Sequence, residues 1–364
     1  MTAAEFSEAR TIRDYSLDGA STREAIERGL ASAEWYHSDV PRSLMKELMQ
    51  RSDGPALFNT AIWLGSMFVA AAGTIYLWGN WWCVPFLLVY GVLYGSACDA
   101  RWHECGHGTA FKTPWMNNVV YEIASFMELR NSASWRWSHA RHHTDTYIVG
   151  RDAEIAIMRP PDLLRFFLSF VGGLDPLQSM KTIIWHALGK LSVDEQSFVP
   201  KTEHKKVFLV GCIYVLLHAA AIALSIYLNS WLPVVLISLP RFYGVWHVAL
   251  TGHLQHLGLA DNVLDHRLNT RTVYMNPISN FLNMNMNYHV EHHMFPMVPF
   301  HALPRLHDAI KHDLPPANTS IWQAYKEVWP TLLRQLRYEN AFLIRELPPT
   351  ARPYRSEFHE LKTG

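Results

Sequence analysis

The chain has 364 residues, 49% of them hydrophobic and only 18% charged, against about 25% charged in an average soluble protein. Lys plus Arg equals Asp plus Glu at 32 each, so no global field recruits nucleic acid. The apolar content excludes disorder, and four cysteines in so long a chain exclude a disulfide scaffold. Fourteen Trp, fifteen Tyr and twenty His point instead to an aromatic-rich membrane boundary and many candidate metal ligands.

Residues 1–55 are polar and helical in pattern, with no signal peptide evident. Ser21-Thr22-Arg23-Glu24 reads as one helix start and Pro41 as another. Four apolar segments follow. Residues 56–78, 81–98 and 207–228 contain no Lys, Arg, Asp or Glu, and 231–250 contains one charge, Arg241. A bilayer core about 30 Å thick needs about 20 helical residues, which all four segments supply. Only Gly79-Asn80 separates the first pair and only Asn229-Ser230 the second, so each pair predicts a tight helical hairpin. Every Lys and Arg except Arg241 lies outside the spans, which puts the termini and the central segment on the cytosolic side.

The expected fold is therefore an all-α integral membrane protein with four transmembrane helices in two hairpins and a cytosolic helical cap. Residues 1–55 form an N-terminal region, 56–312 the membrane domain and 313–364 a tail. The apolar run 163–171 is too short to cross and predicts a helix lying at the interface. There is no internal repeat and no low-complexity run.

Three histidine clusters carry the chemistry: His103-Glu104-Cys105-Gly106-His107, His139-Ala140-Arg141-His142-His143 and His289-Val290-Glu291-His292-His293. On a helix, positions i, i+3 and i+4 share a face, so each cluster can aim its imidazoles at one point. All three emerge on the predicted cytosolic side. Eight histidines exceed what one ion needs, since a tetrahedral zinc takes four ligands. They suit a dimetal site with room for oxygen or substrate. Imidazole suits Zn, Cu, Fe and Ni alike, so spacing leaves the metal open. His253 and His256 follow the last span, and His247 lies within it. His37, His186, His204, His218, His266, His312 and His359 read as surface or core residues. The first cluster also matches H-E-x-x-H, a zinc protease pattern with Glu104 as general base, but that reading leaves the other two clusters unexplained. A non-catalytic membrane metal or redox protein is a third reading.

The three clusters at these spacings, among four spans, resemble the histidine boxes of the membrane fatty acid desaturase and hydroxylase superfamily. The run from Asn287 through Pro296 is similar to that family's N-Y-H-x-x-H-H-x-F-P stretch, and Leu254-Gln255-His256 resembles its extra histidine after the last span. The likeness covers roughly residues 56–312. The resemblance implies two iron ions held by His103, His107, His139, His142, His143, His256, His289, His292 and His293. Glu104, Asp145, Asp152 and Glu291 would be acceptors that fix imidazole orientation. It also implies an O2-dependent reaction that takes hydrogen from an unactivated C–H bond of a fatty acyl chain. Loss of a second hydrogen would give a double bond, and oxygen rebound an alcohol. The three-residue spacing in the first box resembles the acyl-lipid type of enzyme, although some members oxidise carotenoids, alkanes, sterols or small polar compounds.

Cys83, Cys98, Cys105 and Cys212 lack metal spacing, and no dinucleotide fingerprint or fused cytochrome is present. Electrons are therefore expected from an external ferredoxin, rubredoxin or cytochrome b5 with its reductase; Arg136, Arg141 and Arg151 read as solvated loop charges first and as its landing patch second. Arg241 is expected to bind an anionic substrate group or to pair with a nearby acid such as Asp99.

Overall fold

The computed structural model describes residues 13–31 and 33–355. Among the described residues every regular element is a helix; there is no strand, only isolated bridges pairing Thr272 with Tyr288 and Val273 with Asn318. Near the N terminus, α1 (Ala20–Glu27) starts one residue ahead of the expected Ser21, after Gly19 and with no side-chain cap. Helix α2 (Arg42–Leu48) follows Pro41 as the sequence predicts. Residues 33–41 between them are non-helical, so the region is less helical than its pattern suggests.

Three helical stretches are long and apolar enough to cross a membrane: Arg42–Tyr76, Cys83–Gly106 and Lys201–Tyr227. The first contains α3 (Asp53–Tyr76). The second is α4 (Cys83–Gly95) continued, after a bend at Ser96, by α5 (Ala97–Gly106). The third contains α11 (His204–Tyr227). Both hairpin turns use a left-handed residue, Gly79 at φ 88° and Asn229 at φ 46°, to reverse the chain within a few residues. Between the hairpins lie α6 (Pro114–Met127), α7 (Ser132–Thr144), α8 (Leu163–Ser169), α9 (Asp175–Ala187) and α10 (Val193–Phe198). The expected short apolar helix is α8, which buries Phe166 and turns Leu164 and Phe167 outward.

The fourth apolar segment is not one continuous helix. It breaks into α12 (Leu232–Ile237), α13 (Pro240–Gly244) and α14 (Trp246–His256). Pro240 has no N–H to give to the turn before it, which frees carbonyls that no water can reach in an apolar environment. Three tyrosine hydroxyls take up these carbonyls: Tyr243 donates to Val235 O at 2.9 Å, Tyr90 to Leu236 O at 2.7 Å and Tyr94 to Ile237 O at 2.9 Å. At the second break, the Ser96 hydroxyl inserts into the ladder, donating to Gly244 O at 2.5 Å and accepting from Val248 N–H at 3.0 Å. Close backbone approach makes this possible. A Cβ on Gly244 would lie 1.8 Å from Gly91 O, and one on Gly95 would lie 2.7 Å from Pro240 O.

Arg241 reaches Glu128 Oε1 at 2.9 Å and the Gly95 carbonyl. The expected partner, Asp99, instead accepts from Arg130 at 2.8 Å. Sequence spacing could not anticipate that α6 ends against the break. The rest of the chain caps this end with α15 (His266–Asn269), α16 (Pro277–Leu282), α17 (His289–Met294), α18 (Leu303–Ile310) and α19 (Ile321–Gln335). Ala324, Val328 and Leu332 of α19 pack with Leu254 and Leu257, and Tyr325 donates to Leu250 O at 2.9 Å. The C-terminal half of α14 is thereby braced.

Candidate metal centre

Helices α5, α7, α14 and α17 converge where the apolar stretches end. Asn131 starts α7 by accepting from the Ala133 and Ser134 amides, and α5 carries the chain beyond the predicted end of its span so that His103 reaches the same place. Nine histidines meet there in two groups. His103, His107, His139, His143 and His292 form one; His142, His256, His289 and His293 form the other, with candidate ligand atoms within 4.8 Å of one another in each.

The two boxes of identical spacing are shared between the groups in opposite senses. Helix α7 gives His139 and His143 to the five-histidine group and His142 to the four-histidine group. Helix α17 gives His289 and His293 to the second group and His292 to the first. Residues four apart on a helix point the same way, and the one between them at i+3 is turned to the side. His103 and His107 complete the first group and His256 the second.

The imidazoles face one another through Nε2. His139 and His107 approach to 3.1 Å and His292 and His143 to 3.2 Å, while His289 stands 3.0 Å from both His256 and His293. Such separations suit two nitrogens each about 2.1 Å from one ion. One Nε2 of His289 cannot donate to both neighbours, a conflict that a shared cation removes. Burial, and for most of them the neighbouring imidazoles, push His139, His143, His289, His292 and His293 well down from the usual histidine range. Burial lowers His107 to about 4 and His256 to about 3. Neutral imidazole is the form that ligates a metal. His142 is the exception: burial lowers it, but the charge and hydrogen bond of Asp152, with the charge of Glu154, carry it up to about 8.

The Nδ1 atoms explain how several rings are aimed. His142 meets Asp152 Oδ2 at 2.9 Å. His139 meets Glu154 Oε2 at 3.0 Å, His256 the Asn269 carbonyl at 2.8 Å and His293 the Thr146 hydroxyl at 3.2 Å. No local pattern marks these three partners: two act through a carbonyl or a hydroxyl, and Glu154 lies 15 positions from its histidine. The other predicted acids do different work. Glu104 accepts from Thr109 Oγ1 at 2.8 Å and the Phe300 amide at 3.0 Å, so one position along from His103 it is turned away from the histidines. Asp145 accepts from Arg151 at 2.8 Å. Glu291 accepts from Thr272 Oγ1 at 2.6 Å and bonds His307 Nδ1. None of the three bonds a histidine of either group.

His247 and His253 also lie outside the groups, on Ser279 at 3.1 Å and Ser169 at 2.8 Å. His186 is held by Asn131 and Glu195, and His218 by Ser238; His359 lies outside the described residues. Of the suggested landing patch, Arg141 and Arg151 are drawn to Asp145 and Arg136 covers the Tyr121 ring. A cleft of about 420 Å³ opens beside Ser138 and Asp152, on the outer, Nδ1 side of the histidines.

A family model for fatty acid desaturases matches residues 79–325, a stretch that contains all nine histidines. The chain belongs to the fatty acid desaturase family. It is thus a desaturase-type oxidoreductase of lipid metabolism, and its three apolar helices agree with the membrane-bound character of that family. Similar curated proteins include the sn-1 oleoyl-lipid 12-desaturase of Synechocystis sp., 24% identical over 80% of this chain and 86% of that protein. The chloroplastic sn-2 acyl-lipid omega-3 desaturase (ferredoxin) of Arabidopsis thaliana is 24% identical over 75% of this chain and 65% of that protein. Fatty acid conjugase FAC2 B of Calendula officinalis is 24% identical over 85% of this chain and 93% of that one.

Proposed function

We propose that this desaturase holds two iron ions and uses O2 to introduce a double bond into a fatty acyl chain, most simply one linked to a lipid. The observation that carries the reading is the division of nine convergent imidazoles into groups of five and four. His103, His107, His139, His143 and His292 would hold one iron, and His142, His256, His289 and His293 the other. Bound iron supplies the one-electron and oxygen chemistry that removes hydrogen from an unactivated C–H bond. The chain's own residues supply aim and exclusion: Asp152 and Glu154 keep Nδ1 of His142 and His139 engaged so that Nε2 points inward, and burial keeps bulk water from the centre. The acyl-lipid assignment rests on the names of the relatives in Synechocystis and Arabidopsis and on the three-residue spacing of the first box.

Topologically, we take residues 231–250, which run through α12 and α13 into the first part of α14, as the fourth membrane crossing, so that two hairpins carry a cytosolic cap with both termini and the metal centre on that side. The distribution of Lys and Arg supports this orientation. Electrons would come from a separate ferredoxin, rubredoxin or cytochrome b5. The zinc protease reading gains no support, because Glu104 is turned away from the histidines, with Oε1 on Thr109 and Phe300.

The test pairs elemental analysis of the detergent-purified wild type and His292→Ala with lipid analysis of an expressing host. The expected result is iron in the wild type, depleted in the variant, and new double bonds that require oxygen and an electron donor. Zinc unchanged by the substitution, or no oxygen-dependent product with any of the three donors, would overturn the proposal.

A further inference from the structure

Outside the two groups, one buried histidine has no part in holding them and yet touches them. His266 is 1% exposed, and its ring lies 5.1 Å from that of His293. Its other face carries the Trp35 indole, stacked at 4.2 Å between centroids and only 3° from parallel. Trp35 is 9% exposed and is held in this pose by its Nε1–H, which donates to the Thr144 carbonyl at 3.0 Å. It belongs to the non-helical strip 33–41, in which Glu34, His37 and Asp39 are exposed. The strip lies over the end of α7, remote in sequence from the boxes. A parallel indole–imidazole stack followed by a ring contact to His293 is a short, continuous aromatic bridge from Trp35, buried in the 33–41 strip, to the four-histidine group.

We propose that Trp35 and His266 form the route by which electrons from a one-electron carrier protein reach the metal centre. This rests on the oxygen-dependent desaturase reading. Each transfer takes one electron from the reduced carrier, leaves the carrier oxidised by one, and passes across both rings without a net change in either. Two transfers, with two protons and one O2, balance the conversion of a CH2–CH2 unit to CH=CH and two waters. Neither residue is catalytic. They act by shortening the gap between the carrier and His293, and a buried arrangement of this kind would otherwise separate the two by unreactive packing.

The experiment measures the rate at which a reduced [2Fe–2S] ferredoxin reduces the iron-loaded full-length protein in detergent, beside the rate with dithionite and methyl viologen as a small reductant. Trp35→Leu and His266→Leu are compared with the ring-keeping Trp35→Phe and His266→Phe. The expected result is a fall of about an order of magnitude in the ferredoxin rate for the Leu variants, with the small-reductant rate and iron content unchanged and the Phe variants close to wild type. A merely structural role would move both rates or the iron content together, and that outcome overturns the proposal. So does an unchanged ferredoxin rate in both Leu variants. Loss of the ferredoxin rate in Trp135→Leu alone would route electrons through Trp135, Trp102 and His139, whose rings also touch, and would overturn it too. Absence of iron in the wild type would be a failure of the desaturase reading itself and is seen before any rate is measured.

Discussion

His142 Nδ1 and Asp152 Oδ2 stand 2.9 Å apart with both side chains buried, so one carboxylate, ten residues downstream, decides which nitrogen of His142 faces the four-histidine group. Asp152 also accepts from the Tyr147 amide at 2.8 Å, which prevents the acid from turning away. Asp152→Asn should therefore lower metal affinity by about 10–100-fold, the usual effect of losing such an outer partner. Glu154→Gln should do the same at the other group through His139. Metal retained after dialysis against a graded chelator would show it; full retention in both variants would remove these acids from the account.

Arg241, half-buried, and Glu128, fully buried, form an ion pair beside the broken apolar segment. Removing Arg241 leaves the buried Glu128 carboxylate with only the longer contact to Arg130 at 3.7 Å, which costs up to about 3–5 kcal/mol, the range for breaking a buried pair. Arg241→Met should accordingly lower the thermal midpoint in detergent more than the double variant Arg241→Met with Glu128→Gln. If the double variant were no more stable than the single, the pair would not be the anchor it appears from its geometry.

The hydroxyls of Tyr90, Tyr94 and Tyr243 serve carbonyls that Pro240 leaves without a helical donor. Each Tyr→Phe change should cost about 1–3 kcal/mol, the penalty of a buried acceptor left unmade. A Tyr94→Phe variant as stable as wild type in chemical denaturation would mean that the carbonyl finds another donor.

Gly244 lies too close to Gly91 for any side chain, with a Cβ only 1.8 Å from the Gly91 carbonyl oxygen. Backbone cannot yield as a flexible side chain can, so Gly244→Ala should push α13 from α4 and displace His256 at the far end of α14. Reduced expression in the membrane fraction and preferential metal loss are the expected readings. Gly65→Ala, with nothing within 4 Å of its Cβ, is the control that should behave as wild type.

Much of this was legible beforehand because periodicity and spacing are local. The helical character of the hairpins, their turns at Gly79 and Asn229, and the three histidine runs all follow from short stretches of sequence. What was not legible depends on contacts between distant segments. The tyrosines that permit the break at Pro240 come largely from α4, so the fourth segment reads as one uninterrupted span by composition alone. Glu128 lies 113 positions from Arg241, and nothing in its own surroundings marks it over Asp99. Glu104 and Glu291 attract notice by standing between histidines, yet adjacency on a helix turns a side chain away rather than toward its neighbour. The acid on His139 instead comes from the loop after α7, where Glu154 can approach the ring from outside.

The sharing of α7 and α17 between the histidine groups makes each helix a rigid yoke. A rotation of α7 that drew His139 and His143 away from the first group would swing His142 relative to the second, and α17 would transmit the same disturbance in the opposite sense. The two groups therefore cannot open, tighten or change spacing one at a time. Any motion that admits a substrate must come from the elements around the pair, with α7 and α17 carried together as one unit.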